Sequence, residues 1–323
     1  MADFKKPVVV VSKCLGFAHC RYNGLTISSD VVDKLKEHVD FRTVCPEVEI
    51  GLGVPRDPIR IVAVSEADLR LKQPATERDV SDDMNRFADS FLNSVPEADG
   101  FILKNRSPSC GIGDVKVYPG TGKVTPQSRT KGFFGAKVWE KFPMLPIEDE
   151  GRLMNFKIRE NFFTKLFTLS KFKDVSASGK MKNLVQFHSS NKLLLMANNQ
   201  KELRILGRIV ANPEKKKFDD VIRNYHEHLF QAFLRPARYP SNINVLMHAM
   251  GYFSKQLNSE EKAYFLDILE QYRIGKIPLS VPVSLIRSWI IRFKNDYLKQ
   301  QTFFEPYPVA LMEITDSGKG RNF

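Results

Sequence analysis

Three of the four cysteines in this 323-residue chain come after short strand-like runs. Cys14 follows Val8–Val11. Cys45 follows Phe41–Val44 and opens a Cys-Pro-Glu turn. Cys110 lies in Lys104–Gly113, KNRSPSCGIG, behind the apolar run Gly100–Leu103. A cysteine is often only a small buried hydrophobe. In an open parallel sheet, however, the strand ends share one edge, and ligands collect in the crevice there. Three thiols meeting at that edge suggest a metal ion or a cluster. They lack the paired CxxC knuckles of structural zinc and the tight cysteine run of ferredoxins. Three thiolates can still hold a 4Fe-4S cluster with one iron left open. That iron is a Lewis acid with a preference for a soft atom such as sulfur.

Other groups close to these cysteines could do proton work. Glu47 stands two residues after Cys45, where it could orient or deprotonate a water. Ser107 and Ser109 precede Cys110, where a hydroxyl could position water or hydrogen-bond a substrate carbonyl. Glu47, Ser107 and Ser109 are therefore the catalytic candidates, and Lys104 and Arg106 the candidates for holding an anionic or electron-rich group. For Glu47 the competing role is a turn-capping carboxylate, and for Arg106 a structural ion pair. Cys20, beside His19, has three open roles: fourth ligand, reactive thiol or packed loop residue. No GxSxG or Walker-type loop is present, and Gly51–Gly53 alone does not define a dinucleotide site.

The elements that must position these groups follow from patterning. Lys6–Ser12 and Gly100–Lys104 predict buried strands, Asp40–Val44 a second strand and Ile59–Val64 a further one. Helices are predicted from Ser28 or Ser29 to about His38, from Ser81 or Asp82 through Leu92, and over Phe133–Phe142. Gly and Pro make 51–58 a loop. Val115–Tyr118 with Gly120–Thr125 predicts a short hairpin or flap, and Pro143–Pro146 a last strand. Alternating strands and helices specify an α/β, Rossmann-like layered domain with a largely parallel sheet over residues 1–150. Beyond 151 the patterns are helical: about 154–171, 181–211, 219–234, 241–256, 259–273 and 281–301. Asn258 with Glu261 forms a capping-box signature, and Gly275 a helix stop. The second domain, 151–323, is thus expected to be all-α, with a polar, mobile tail at Ser317–Phe323.

Composition sets the class. At 42% hydrophobic and 27% charged residues the chain is globular. No apolar run reaches the roughly 18 residues that span a bilayer, and the N-terminal four valines are too few for a signal peptide. A cytoplasmic protein without a disulfide framework is expected. The net charge of +12 is divided unevenly: residues 1–150 hold 21 Lys+Arg against 22 Asp+Glu, and residues 151–323 hold 28 against 15. The second half therefore calls for a polyanion, most simply RNA, DNA or an anionic membrane, unless its basic surface serves only solubility.

Three blocks, VVVSKCLG…CRYNG at 9–24, VCPEVEIGLGVPR at 44–56 and LKNRSPSCG at 103–111, resemble the thiouracil desulfidase family over roughly residues 6–148. The resemblance implies a 4Fe-4S cluster held by Cys14, Cys45 and Cys110. In that family the free iron captures the sulfur of a thiolated pyrimidine, water replaces it at the ring carbon, and hydrogen sulfide leaves. Residues from about 155 to 310, with FHSSNKLLLMA at 187–197, YHEHLFQAF at 225–233, NVLMHAMGYF at 244–253 and YLKQQTFFEPYP at 297–308, resemble the YbgA-like helical domain. The pair is similar to longer desulfidases that return 4-thiouridine in tRNA to uridine. The charge division agrees, because phosphate contacts dominate RNA affinity.

On this reading the partner is thiolated tRNA. Lys215–Lys217, Arg235, Arg238, Arg287, Arg292 and Lys294 are phosphate-contact candidates. His188, Lys192, His226, Asn244 and His248 either line a second pocket or are satisfied structural residues. Phe187, Tyr225, Tyr252 and Phe253 are core residues first and base-stacking platforms second. The flap is a candidate for helping to expose the base. The alternatives are desulfuration of free 2-thiouracil or a thionucleoside, and a non-catalytic iron–sulfur sensor that binds nucleic acid.

Overall fold

The computed structural model describes residues 4–65 and 68–313; the predicted tail at 317–323 lies outside the described residues. The chain divides into two compact units, Phe4–Leu169 and a second one from Ser170 onward.

The first unit contains β1 (Val8–Ser12), α1 (Asp30–Leu35), β2 (Asp40–Val44), α2 (Pro46–Glu49), β3 (Arg60–Ala63), β4 (Leu69–Gln73), β5 (Arg78–Asp79), α3 (Ser81–Asn93), β6 (Gly100–Leu103), β7 (Val115–Tyr118), β8 (Ser128–Thr130), α4 (Phe133–Lys141) and β9 (Ile147–Asp149). Four strands form a wholly parallel sheet in the order β2-β1-β6-β9. Val9, Val10, Val11 and Phe101–Leu103 are fully buried, as continuous apolar strands between covering layers should be. The chain runs from β1 outward to β2, then returns to β6 on the other side of β1. That reversal puts the topological switch point at the C-terminal ends of β1 and β6. Ser12 marks the spot: its Oγ accepts the Lys104 backbone N–H at 2.9 Å, joining the two strand ends.

The remaining strands build a second sheet in the order β5-β4-β3-β7-β8, where only β3 and β7 run parallel. It adds a mostly antiparallel sheet to the largely parallel one that the sequence predicts. β4 and β5, LRLKQ and RD, were not predicted, because their polar, half-exposed residues carry little strand signal. The predicted last strand at Pro143–Pro146 is also shifted. The ladder begins at Ile147, since proline has no N–H to give it, although Pro146 O already accepts from Phe101 N at 2.9 Å. The predicted hairpin exists, but its second strand is Ser128–Thr130 rather than 120–125. Arg60 Nη1 reaches Gly122 O at 3.1 Å and Thr121 Oγ1 donates to Glu77 at 2.7 Å, fastening the hairpin tip.

One core joins the two sheets with α3 and α4, and includes Ile61, Leu71, Met84, Leu92, Phe101, Phe134 and Val138. Phe87, Phe91 and Phe134 lie with ring centroids 5.7–6.4 Å apart, close enough for aromatic attraction. Full burial of the Phe134 ring contributes roughly 1.5–3 kcal/mol.

A 3-10 turn (Arg152–Met154) leads into α5 (Phe156–Ala177), within which the boundary between the units falls. The second unit continues with α6 (Met181–Ser190), α7 (Lys192–Asn198), α8 (Gln200–Ala211), α9 (Phe218–Ala232), α10 (Tyr239–Gly251), α11 (Ser259–Arg273), α12 (Ser280–Arg292) and α13 (Asp296–Lys299). No strand occurs there among the described residues. The predicted single helix over 181–211 is three, broken at Asn191 and Asn199. Asn199 turns its side chain to cap the N–H groups of Lys201 and Glu202, which is how asparagine competes with helix continuation. Asn295 similarly caps Leu298 N and divides 281–301. The Asn258–Glu261 capping box forms as predicted, and Gly275 adopts φ +75° after α11. Among the described residues no helix is long and apolar enough to cross a membrane.

Candidate active site at the switch point

Each predicted ligand follows one strand of the parallel sheet. Cys14 lies two residues past β1, Cys45 directly past β2, and Cys110 in the loop after β6. Cys45 and Cys110 are buried and Cys14 is half-buried. Burial pushes the Cys14 thiol up to about 11, reinforced by Cys45 nearby. It raises Cys110 further, against a hydrogen bond from Ser12, with Cys14 and Cys45 both adding to the rise. The sulfurs therefore sense one another, and burial disfavours the charged form of Cys14 and Cys110.

That donor chemistry fits an iron–sulfur cluster. Thiolates withdrawn from water demand strong positive charge, and the four irons of a cubane would supply it. Among the described residues no three Cys, His, Asp or Glu side chains close around a single point as a mononuclear ion requires. Cys20 also belongs here, since the Cys45 thiol contacts Cys20 O at 3.7 Å. Burial and Cys45 together push the Cys20 thiol up to about 12. Its carbonyl accepts from Arg56 Nη1 at 3.0 Å, fixing the loop.

The three catalytic candidates form one hydrogen-bonded chain. Ser109 donates to Glu47 Oε1 at 2.6 Å, and Ser107 lies 2.9 Å from Ser109. Because the Ser109 proton is committed to the carboxylate, Ser107 must donate to Ser109. Ser107 Oγ in turn accepts the backbone N–H groups of Ser109 and Cys110 at 3.3 and 3.1 Å. Ser109 is 1% exposed, so only Ser107 and Glu47 have any access to a substrate. Glu47 occupies the second position of α2, begun by Pro46, whose fixed φ suits a first helical residue.

Lys104 and Arg106 separate. Lys104 Nζ is spent on Glu150 and on the Asn105 side chain, and Glu150 also accepts Asn105 N at 2.8 Å. Lys104 thus anchors the loop. Arg106 is exposed and left-handed at φ +54°, a conformation that costs a non-glycine residue of order 1 kcal/mol and recurs at functional sites. It carries no ion pair among the described residues.

Several contributors were not singled out in the sequence. Arg56 grips Glu47 Oε2 with Nε and Nη2 at 2.9 and 2.6 Å. Ser12 links Cys110 to the β1–β6 junction. Gly132 and Gly135 let the start of α4 press on the Cys110 loop: Gly132 N donates to Gly111 O at 2.7 Å and Gly135 N to Ser109 O at 3.0 Å. The one available signal was the Gly-x-x-Gly spacing, which puts both glycines on one face of the first turn.

In the second unit Lys215, Lys217, Arg235, Arg238 and Lys294 are exposed without an ion pair among the described residues. Lys216 pairs with Glu214, Arg287 with Glu305, and Arg292 with Glu261. The histidines are mostly structural. His188 Nδ1 meets the buried Tyr225 hydroxyl at 3.2 Å, and His226 stacks on Phe172 at 5.4 Å. His248 meets Tyr252 at 5.7 Å, while Lys192 and Asn244 point to solvent.

A parallel α/β sheet with its chemical groups gathered at the switch point defines an enzyme domain. Residues 9–150 match the family described as 2-thiouracil desulfurase, and residues 192–308 match the one described as "Protein of unknown function (DUF1722)". The chain is 30% identical over 156 residues to the uncharacterized protein YbgA of Escherichia coli (strain K12), covering 48% of this chain and 92% of that one. It is 34% identical over 120 residues to the uncharacterized protein YbbK of Bacillus subtilis (strain 168), covering 35% and 78%. The solved [4Fe-4S]-dependent thiouracil desulfidase TudS is 26% identical, covers 46% of this chain and 93% of its own, and gives a TM-score of 0.36. The chain joins a domain of the 2-thiouracil desulfurase family to a YbgA-like DUF1722 domain.

Proposed function

We propose that this protein is a 4Fe-4S-dependent desulfidase that converts 4-thiouridine in tRNA to uridine. The observation that carries the chemistry is the Ser107–Ser109–Glu47 chain beside the thiols that follow β1, β2 and β6. Cys14, Cys45 and Cys110 would hold the cluster. When bound, such a cluster offers one open iron, a Lewis acid matched to sulfur. The chain's own residues supply the proton path. A water hydrogen-bonded to Ser107 Oγ passes a proton through Ser109 to Glu47, which Arg56 holds in place. Its oxygen bonds to the ring carbon, the carbon–sulfur bond breaks, and the two protons of water leave with sulfur as hydrogen sulfide. No electron is gained or lost.

Family membership supports removal of sulfur from a thiolated pyrimidine. The tRNA substrate draws its support from the second half of the chain, with 28 basic against 15 acidic residues, and from its unpaired surface cations. The test is sulfide release from thiolated tRNA by anaerobically reconstituted protein, with Cys110→Ala alongside. Release by the wild type and none by the variant is expected. Release from free 2-thiouracil alone would remove tRNA as substrate. RNA binding without sulfide from either would leave a non-catalytic cluster protein.

A further inference from the structure

The loop that supplies Cys20 O to Arg56 continues into a tight turn, Arg21–Gly24, closed by Gly24 N to Arg21 O at 2.9 Å and Arg21 N to Leu25 O at 3.2 Å. Gly24 takes φ +71°, which favours glycine there. The turn lifts Tyr22 to 42% exposure, with the Arg21 guanidinium 5.6 Å from its ring centroid. Leu25 and Val54 stand 54% and 41% exposed. Lone exposed apolar residues need no explanation. These three differ, because their two loops are latched together by the residue that grips Glu47. Arg56 N donates to Tyr22 O at 2.8 Å, and Arg56 Nη1 bonds both Cys20 O and Gly53 O.

From these contacts we infer that Tyr22, with Arg21, Leu25 and Val54, forms a rim that receives the nucleotide next to the thiolated one. The inference rests on the RNA reading above and names the contact that separates an RNA strand from a free base. A free pyrimidine held at Glu47 and Ser107 has no extension toward the Tyr22 turn, which joins the site through Arg56. A strand has one. Tyr22 offers a face for base stacking, and Arg21 beside it, with unpaired Arg106 next to Ser107, offers charge to the flanking phosphates.

The test compares kcat/KM on a thiolated RNA oligonucleotide and on free 2-thiouracil for wild type, Tyr22→Ala and Tyr22→Phe. Stacking losses of this kind predict that Tyr22→Ala lowers the RNA-to-thiouracil ratio by roughly tenfold, while Tyr22→Phe, which keeps the ring, preserves it. Because the ratio is taken within each preparation, partial misfolding cancels. An unchanged ratio in Tyr22→Ala, on RNA that the wild type does desulfurise, overturns the rim alone. A wild type that consumes thiouracil and ignores RNA overturns the RNA reading, and the rim with it.

Discussion

Arg56 holds Glu47 by a two-pronged contact, Nε and Nη2 on one carboxylate oxygen, with both side chains nearly sealed from solvent at 4% and 13% exposure. The other oxygen is thereby left to Ser109. A guanidinium fork fixes direction as well as charge, and lysine cannot reproduce it. Arg56→Lys is expected to lower the rate of sulfide release by about 10²-fold, with iron content and KM little changed, since small misplacements at a reacting centre have that cost. Steady-state kinetics beside an iron assay decide it; full activity would make the contact merely structural.

The hydroxyl chain makes a separate prediction about additivity. Ser107→Ala and Ser109→Ala interrupt the same path, so the double variant should be about as slow as the worse single one. A double-mutant cycle on sulfide release measures this. Losses that multiply would mean that the serines act independently.

Gly135 has no room for a side chain. A methyl group there would stand 2.8 Å from Cys110 O and closer still to Gly111 O. Gly135→Ala should therefore displace the Cys110 loop, lowering stability by about 1–3 kcal/mol and reducing iron retention. Denaturant midpoints and bound iron per chain are the readouts.

Asp149 gives a pH dependence away from the thiols. Burial raises its carboxyl to about 6, even though Arg152 N donates to it at 2.7 Å. An unfolded aspartate titrates near 3.9. The folded state therefore binds the extra proton between those values, and stability falls as pH rises through that window. The full cost, about 2–3 kcal/mol by linkage, is present above pH 6 and relieved toward pH 4. Asp149→Asn should raise the urea midpoint at pH 7.5 and have little effect at pH 4.5. An equal effect at both values would exclude the carboxylate charge as the cause.

For the helical unit, salt dependence is the sharper observable. Lys215 and Lys217 are exposed without ion pairs among the described residues. Replacing both with Gln should reduce the slope of log Kobs against log salt by about 2 for tRNA, roughly one for each lost phosphate contact. Filter binding at several salt concentrations measures it, and an unaltered slope would put the RNA elsewhere.

How far these features were legible depended on how local their signals are. The parallel strands could be read because they are buried on both faces and so uniformly apolar, as in Val9–Val11. The cysteine, glutamate and serine groups could be read because each follows a strand and its chemistry is written in its residue type. β4 escaped because an edge-side strand of mixed polarity has no comparable signature. Arg56 escaped for another reason: a charge in a Gly/Pro loop looks solvent-exposed until folding buries it against Glu47. Lys104 and Arg106 looked equivalent in sequence. Only Glu150, forty-six residues downstream of Lys104, separates the anchor from the free cation. Gly132 and Gly135 show their purpose only when the carbonyls of the Cys110 loop stand against them.

The placement of one cysteine after each of three neighbouring strands also has a consequence for biogenesis. The thiols are remote along the chain and become a set only after β1, β2 and β6 have paired. Long-range parallel pairing is slow compared with helix formation. In the proposed enzyme iron loading would therefore wait for a finished sheet, yet not for the finished protein. The strands and the supports of the Cys110 loop, down to β9 and Glu150, all lie before residue 151, so the ribosome can still be making the helical half while the first half completes its sheet.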